Sequence, residues 1–233
     1  MTSGRVLVVS DDRELIEPLV QRLGRAGYGV RRARDVDDAL ALVRQDASDL
    51  VVVDIDRDRA RLCRALQALP ARQRVGVVVI GQRGAEAEAA ALELGADDYL
   101  ARPVSLDVLL ARVRAQLRVQ SGRTRAEEEN LPSTRLVFGK LVIDGPKHEV
   151  TVDGDPVAFT ATEFRLLHFL ASSPGRLFTR AHLLGSVVGD HTGVIDRNVD
   201  VHVAVIRKKL GPHRRLLETV RGVGYRFQRV SRV

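Results

Sequence analysis

The run Leu50-Val51-Val52-Val53-Asp54 decides the fold of the first half of the chain. An unbroken series of branched aliphatic residues is typical of a strand that is covered on both faces, as the strands of a parallel sheet are. Similar runs lie before and after it, and segments with apolar residues at every third or fourth position separate them. Strands are predicted at 5–9, 29–33, 50–54, 75–80 and 98–100, and helices at 12–27, 36–44, 60–69, 85–94 and 105–119. Residues 1–119 are therefore predicted to form a doubly wound α/β domain with a five-stranded parallel sheet.

A different pattern begins after residue 119. Residues 120–134 are polar and contain few large apolar side chains, which is typical of a linker. Short strand-like runs separated by turn residues come next, followed by three helical segments and a hairpin-like end. The strands are predicted at 136–138, 141–143, 149–152 and 156–159, the helices from Thr160 or Thr162, from Thr179 and over 196–210, and the hairpin at 218–228. Residues 135–233 are therefore predicted to form an α+β winged helix-turn-helix domain.

The charge of the 233-residue chain is placed unevenly. Its formal net charge is +7, and residues 171–233 hold twelve Arg and Lys residues against four Asp and Glu residues. Because this basic end is also apolar enough to fold, a polyanion is its expected partner. The predicted winged helix-turn-helix fold makes double-stranded DNA the candidate polyanion. A solvated basic tail is the alternative interpretation.

Composition excludes several classes of protein. The single cysteine, Cys63, excludes a disulfide framework and a cysteine-based zinc site. No apolar run approaches the length that spans a bilayer, so no membrane partner is expected. The apolar run at residues 6–9 is too short for a signal peptide, and a cytoplasmic location is expected.

Motifs in both halves carry a family resemblance. In the first half they are Ser10-Asp11-Asp12, Asp54 at a strand end, and Gly95-Ala96-Asp97-Asp98-Tyr99-Leu100 followed by Arg102-Pro103. In the second half they are the motifs at 162–167, 178–184, 197–203 and 219–227. The chain resembles the OmpR/PhoB family of two-component response regulators over nearly its whole length. The resemblance implies a DNA-binding transcriptional regulator and not an enzyme.

The resemblance places DNA contacts on the third predicted helix and on the wing. With Val199, Val203, Ile206 and Leu210 as the buried stripe, the opposite face carries further candidates. The candidate contacts are Arg197, Asn198, Val201, His202, Arg207 and Lys208, with Thr179 and Arg180 at a phosphate and Arg221 in the minor groove. Thr179 as a simple helix cap and His202 as a packed core residue are the alternatives. Ala204 and Val205 stand where relatives are often basic or polar, so contacts with thymine methyl groups are expected to be prominent.

The resemblance makes Asp54 the candidate phosphoacceptor, but the pocket around it departs from the family. The pocket residues are Ser10, Asp11, Asp12, Gly81 and Arg102. Ser10 replaces one acid of the usual pair, Gly81 stands at a strand end that lacks the usual hydroxyl, and Arg102 replaces a lysine. Asp11 and Asp54 are weak candidate ligands for Mg²⁺, and no cofactor is expected to be required. The receiver domain is predicted to be atypical, with impaired or absent control by phosphorylation; a conventional phosphorylation switch at Asp54 is the alternative.

The remaining expectations concern partners. The resemblance implies a homodimer formed through the first domain, with Asp97 or Asp98 pairing with Arg112. A sensor histidine kinase and RNA polymerase are further candidate partners.

Two rival interpretations of the segment after Asp54 are disfavoured. A phosphatase-type loop would need a lysine in the same domain, and none precedes Lys140. A calcium loop would need a glycine and a glutamate where Arg59 and Ala65 stand.

Overall fold

The computed structural model of the protein describes residues 4–45, 48–54, 56, 58–69, 75–125, 135–188 and 197–229. The chain divides into two compact units, Met1–Gly122 and Arg123–Val233. Among the described residues, no helix combines the length and the apolar character needed to cross a membrane.

The first unit is built on a parallel sheet of five strands in the order β2-β1-β3-β4-β5. The strands are β1 Arg5–Ser10, β2 Gly29–Ala33, β3 Leu50–Asp54, β4 Gly76–Gly81 and β5 Asp98–Ala101. The helices are α1 Arg13–Arg25, α2 Val36–Gln45, α3 Arg59–Gln67, α4 Ala85–Glu93 and α5 Leu106–Arg125. All residues of β3 are buried, as the aliphatic run predicts. The predicted doubly wound architecture is confirmed.

The register of the sheet brings separate parts of the chain to one edge. Ser10 is the partner of Asp54 across β1 and β3, and Gly81 is the partner of Ala101 across β4 and β5. Because parallel strands end at the same edge, the side chains that follow these ends converge there. Asp12 fixes the start of α1 at this edge, since its carboxylate accepts hydrogen bonds from the backbone N–H groups of Glu14 and Leu15.

One predicted boundary needs correction. Helix α5 continues to Arg125, past the predicted start of the linker at residue 120. Polar residues such as Arg and Gln are good helix formers, so a loss of apolar periodicity does not by itself end a helix. Residues 126–134 of the predicted linker lie outside the described part of the chain.

The second unit combines two antiparallel sheets with helices. Strands β6 Arg135–Phe138, β7 Leu141–Asp144, β8 Glu149–Val152 and β9 Asp155–Val157 form one sheet. Strands β10 Leu177–Thr179, β11 Leu217–Val220 and β12 Gly224–Phe227 form the other, in the order β10-β12-β11. The helices are α6 Ala161–Ala171, the short α7 Arg180–Leu183 continued by a π-turn at Leu184–Val188, and α8 Arg197–Leu210 followed by a 3₁₀ turn at Gly211–Leu216. The predicted winged helix-turn-helix fold is confirmed, while β10 is a strand that the sequence pattern did not predict.

Helix α6 lies at the centre of the second unit, where it packs against α8. A reciprocal capping box begins it: the Thr160 side chain accepts from the Glu163 backbone N–H, and the Glu163 carboxylate accepts from the Thr160 N–H at 2.9 Å. Lys209 of α8 forms an ion pair with the same Glu163 carboxylate, whose side chain is fully buried. One acid therefore both begins α6 and holds α8 against it.

Candidate functional site

Asp54 occupies the carboxyl end of the central strand β3 and is completely buried. Its two carboxylate oxygens have separate partners. The Ser10 hydroxyl donates a hydrogen bond to Oδ2 at 2.9 Å, and the Arg102 guanidinium donates to Oδ1. The Ser10 oxygen in turn accepts from the Asp12 backbone N–H at 3.0 Å. The candidate phosphoacceptor is thus held by a hydroxyl from β1 and a cation that follows β5.

Opposing influences set the ionisation of this carboxyl. Burial raises the pKa of Asp54, while the hydrogen bonds from Arg102 and Ser10 work in the opposite direction. The hydrogen bond to Asp54 raises the pKa of Arg102. Arg102 also lies near a second carboxylate, with its Nη1 3.8 Å from Oδ2 of Asp56. Asp56 is itself paired with Arg59, so guanidinium groups are interleaved with carboxylates around this pocket.

The sequence has Gly81 at the end of β4, where the family usually has a hydroxyl side chain, and the structure has no room for a side chain at that position. A Cβ atom placed on Gly81 would collide with the Tyr99 hydroxyl and would lie 2.8 Å from Nη1 of Arg59. Tyr99 is 6% exposed, and its hydroxyl donates to the backbone carbonyl of Gln82 at 2.5 Å. The glycine therefore does more than omit a hydroxyl group, because the Tyr99 hydroxyl and Arg59 take up the space beside it.

The side chains around Asp54 do not fit a magnesium ion. Mg²⁺ requires several oxygen ligands in near-octahedral geometry, and carboxylates supply the charge. Here Ser10 and Arg102 engage both oxygens of Asp54, and Asp11 is exposed. The part of the chain that the structure describes contains no group of three or more His, Cys, Asp or Glu side chains able to hold a metal ion. The structure does not assemble the predicted pair Asp11 and Asp54 into such a site.

The residues expected at a dimer interface lie inside the first unit. Arg112 forms an ion pair with Asp98 at 3.2 Å, and the two side chains are 5% and 1% exposed. Asp97 accepts a hydrogen bond from the Val77 backbone N–H at 3.0 Å. These acids join β5 to α5 and to the start of β4 within one protomer. The expected pairing of Asp98 with Arg112 is therefore present, but it lies buried within one protomer, and a role for these residues in a homodimer stays a prediction.

Helix α8 presents less to the outside than its apolar stripe predicts. Val199, Val203 and Ile206 are buried as expected, but His202 is only 1% and Val205 only 4% exposed. The placement of His202 and Val205 on the outward face is corrected, because α8 packs against both α6 and the 3₁₀ turn and so buries a wider arc. Val201 is half-buried, and Ala204 and Lys208 are exposed. The side chains of Arg197 and Asn198 lie outside the described part of the chain.

Two of the arginines predicted to contact DNA are engaged within the protein. Arg180 Nε donates to Asp200 Oδ1 at 2.7 Å, and the Tyr225 hydroxyl donates to the same oxygen at 2.6 Å. Burial, together with the hydrogen bond to Asp200, raises the pKa of Tyr225 to about 12. Arg207 donates to the Leu217 carbonyl oxygen, with its Nη2 at 2.8 Å. These bonds fasten α8 to α7 and to the wing.

Three further predicted DNA contacts, Thr179, Lys208 and Arg221, are accessible. Thr179 caps α7 by accepting from the His182 backbone N–H at 3.2 Å, which is the alternative role that its sequence position allowed. Arg221 is exposed at the tip of the wing, beside Gly222, whose φ of 75° suits the tight turn. Lys208 is exposed on the last turns of α8.

Sequence reasoning missed the residues that support these contacts. The network of Asp200 with Arg180 and Tyr225 joins elements far apart in the chain, and no local pattern signals it. The capping role of Glu163 could have been predicted, since Thr160 followed three residues later by Glu is a capping-box signature. The ion pair between Glu163 and Lys209 could not be predicted, because that contact depends on how α6 and α8 pack.

Comparison with known proteins assigns both units. Residues 6–114 match the family "Response regulator receiver domain", and residues 154–227 match the family "Transcriptional regulatory protein, C terminal". The response regulator MprA of Mycolicibacterium vanbaalenii is 37% identical over 227 residues, covering 95% of this chain and 96% of that protein. The phosphate regulon transcriptional regulatory protein PhoB of Pseudomonas aeruginosa is 34% identical, covering 99% of this chain and 100% of its own. Among solved structures, a mutant form of RitR has a TM-score of 0.74 at 26% identity, covering 97% of this chain and 99% of that one.

Proposed function

Because the chain belongs to the OmpR/PhoB family of two-component response regulators, we propose that it regulates transcription without depending on phosphorylation of Asp54. Membership makes the chain a transcriptional regulator with a DNA-binding domain, and it associates the protein with a sensor kinase. The proposal concerns what controls the DNA-binding activity.

The pairing of Arg102 with Asp54 carries the proposal. To accept a phosphoryl group, a carboxylate oxygen must be free to attack phosphorus, and the added charge must be neutralised. In this protein the Arg102 guanidinium already bonds one oxygen of Asp54, and the Ser10 hydroxyl bonds the other. Attack would require breaking one of these bonds in a pocket where Asp54 is fully buried. The resting pocket is therefore stabilised against the reaction that switches conventional members of the family.

The space beside Gly81 supports the same conclusion. A switch that passes through the end of β4 needs a side chain there that can move toward a new phosphoryl group. Gly81 offers none, and the Tyr99 hydroxyl occupies the position with its own hydrogen bond to Gln82. We propose that Tyr99 keeps this buried position, with its hydroxyl bonded to Gln82, throughout the function of the first unit.

The partners of such a regulator follow from the fold and remain part of the proposal. We propose that it acts on DNA in the cytoplasm as a homodimer formed through the first unit, contacting RNA polymerase and performing no catalysis. Since Asp98 and Arg112 are buried, the dimer contact would use other residues of α4 and α5. Val108, which is 40% exposed on α5, is the apolar candidate.

A phosphorylation assay tests the proposal. The full chain is incubated with a small phosphodonor and Mg²⁺, its intact mass is measured, and its DNA affinity is compared with that of untreated protein. Asp54→Asn, which keeps the size of the side chain, is the matched control. We expect no phosphoryl adduct and equal affinities for all samples. A stoichiometric adduct that is absent from Asp54→Asn and accompanies tighter DNA binding would establish the conventional switch instead.

A further inference from the structure

Over residues 199–210, the part of α8 whose side chains the structure describes, the outward face offers few groups that can hydrogen-bond to DNA bases. Between Val199 and Leu210, the accessible stripe consists of Val201, Ala204 and Lys208, spaced as neighbours along one side of a helix. Val201 and Ala204 have neither a donor nor an acceptor in the side chain. Lys208 supplies a compact point charge near the end of the helix, which suits a phosphate better than a base edge.

Two polar residues of the described stretch that neighbour this stripe, His202 and Arg207, are turned inward or held. His202 is 1% exposed and faces the core. Arg207 bonds the Leu217 carbonyl oxygen through both Nε and Nη2, and Nη2 also reaches the Thr219 hydroxyl at 2.7 Å. These three hydrogen bonds hold the Arg207 guanidinium on β11, away from the stripe. Using Arg207 to contact a base would require breaking them.

We infer that residues 199–210 of α8 distinguish DNA sequences chiefly through contacts of the Val201 and Ala204 side chains with thymine C5-methyl groups in the major groove. The inference deepens the DNA-binding function assigned above and rests on it. The thymine methyl is the apolar feature of the major-groove edge, and it can be recognised by an aliphatic side chain. Guanine and adenine present polar edges that Val201 and Ala204 cannot satisfy, so these bases lose hydrogen bonds to water without replacement.

The spacing of the two residues matches neighbouring base pairs. Three residues along a helix advance by about 4.5 Å, and successive base pairs are about 3.4 Å apart. Val201 and Ala204 therefore reach thymines at adjacent or next-but-one positions of a half-site. Affinity that does not depend on sequence comes from exposed cations, which include Lys208 at the end of the stripe and Arg221 at the tip of the wing.

Removing the thymine methyl tests this readout directly. Preferred DNA is first selected from a random duplex library with the full chain. Each selected thymine is then replaced singly by uracil, which deletes the methyl and leaves the base-pairing edge unchanged. We expect a loss of about fourfold in affinity for each methyl that the helix covers. Replacing a thymine elsewhere in the duplex by uracil should leave the affinity unchanged.

Two variants assign the methyl contacts to residues. Val201→Thr keeps the shape of the side chain and Ala204→Ser adds one oxygen, so both should fold as the parent does, which circular dichroism checks. With each variant, the uracil effect should disappear at one position and persist at the other. A selected site that contains no thymine, or uracil substitution without effect at every position, would overturn the inference while leaving DNA binding intact. Failure to enrich any sequence would instead contradict sequence-specific DNA binding as a whole.

Discussion

Replacing Arg102 with alanine should destabilise the first unit in a way that depends on pH. The change leaves the buried Asp54 carboxylate with the Ser10 hydroxyl as its remaining donor among the contacts described. A hydrogen bond between charged groups contributes about 1.5–3 kcal/mol to stability. Because the Arg102 side chain is 41% exposed, solvent screens the pair, and about 2 kcal/mol is expected at neutral pH.

The pH dependence follows from the direction of the Asp54 shift. Burial raises the pKa of Asp54, and Arg102 opposes that rise, so the variant has a still higher pKa. A carboxyl whose folded-state pKa is raised costs stability as pH increases from its ordinary range through the raised pKa. Below that range Asp54 is protonated in both folded and unfolded chains and needs no counter-ion. The difference between variant and parent should therefore be small in acid and largest at neutral pH.

Calorimetry of the full chain measures this difference. The transition of the first unit should fall by about 5–10 °C at about pH 7, and by much less at about pH 4. In an Asp54→Asn background, where no charge is left unpaired, Arg102→Ala should cost well under half as much. An equal loss at both pH values, or an equal loss in the Asp54→Asn background, would refute the assignment of Arg102 as the counter-ion of Asp54.

Three further perturbations test other parts of the structure. Gly81→Ser should displace Tyr99 and destabilise the first unit by about 1–3 kcal/mol, measured by urea unfolding; Tyr99→Ala should relieve that cost, and no relief would exclude the collision. Lys209→Met should cost about 3 kcal/mol by removing the cation that forms an ion pair with the buried Glu163 carboxylate, and adding Glu163→Gln should recover part of that cost, whereas two additive losses would argue against the ion pair. Arg221→Ala should weaken DNA binding across sequences and lower the slope of log affinity against log salt by about one. An unchanged slope would show that Arg221 does not contact the phosphate backbone.

The extent of sequence-based prediction differs between the two units for physical reasons. The buried run at β3 is apolar on both faces, so its pattern alone predicted a parallel sheet with Asp54 at the carboxyl end of a buried strand. The pattern on α8 was less informative, because a helix packed on two sides buries residues outside its main apolar stripe. His202 and Val205 were misplaced for this reason. The Arg102 contact joins residues 48 positions apart, and it becomes visible only when the strand order brings their ends together.

The substitutions around Asp54 are mutually consistent when the charge of the pocket is considered. Ser10 replaces an acid, which removes one negative charge, and its hydroxyl donates to the carboxylate that remains. Arg102 keeps a positive charge, and its planar guanidinium reaches Asp54 directly while lying 3.8 Å from Asp56. Arg102 and Arg59 thus pair with the carboxylates of Asp54 and Asp56 at this edge. A divalent cation would have to compete with Arg102 for an oxygen of Asp54 and would be repelled by the guanidinium.

Arg102→Ala should therefore permit more binding of Mg²⁺ to the pocket than the parent chain shows. Titration calorimetry measures this difference, and equal binding of Mg²⁺ by both proteins would contradict the competition between Mg²⁺ and Arg102.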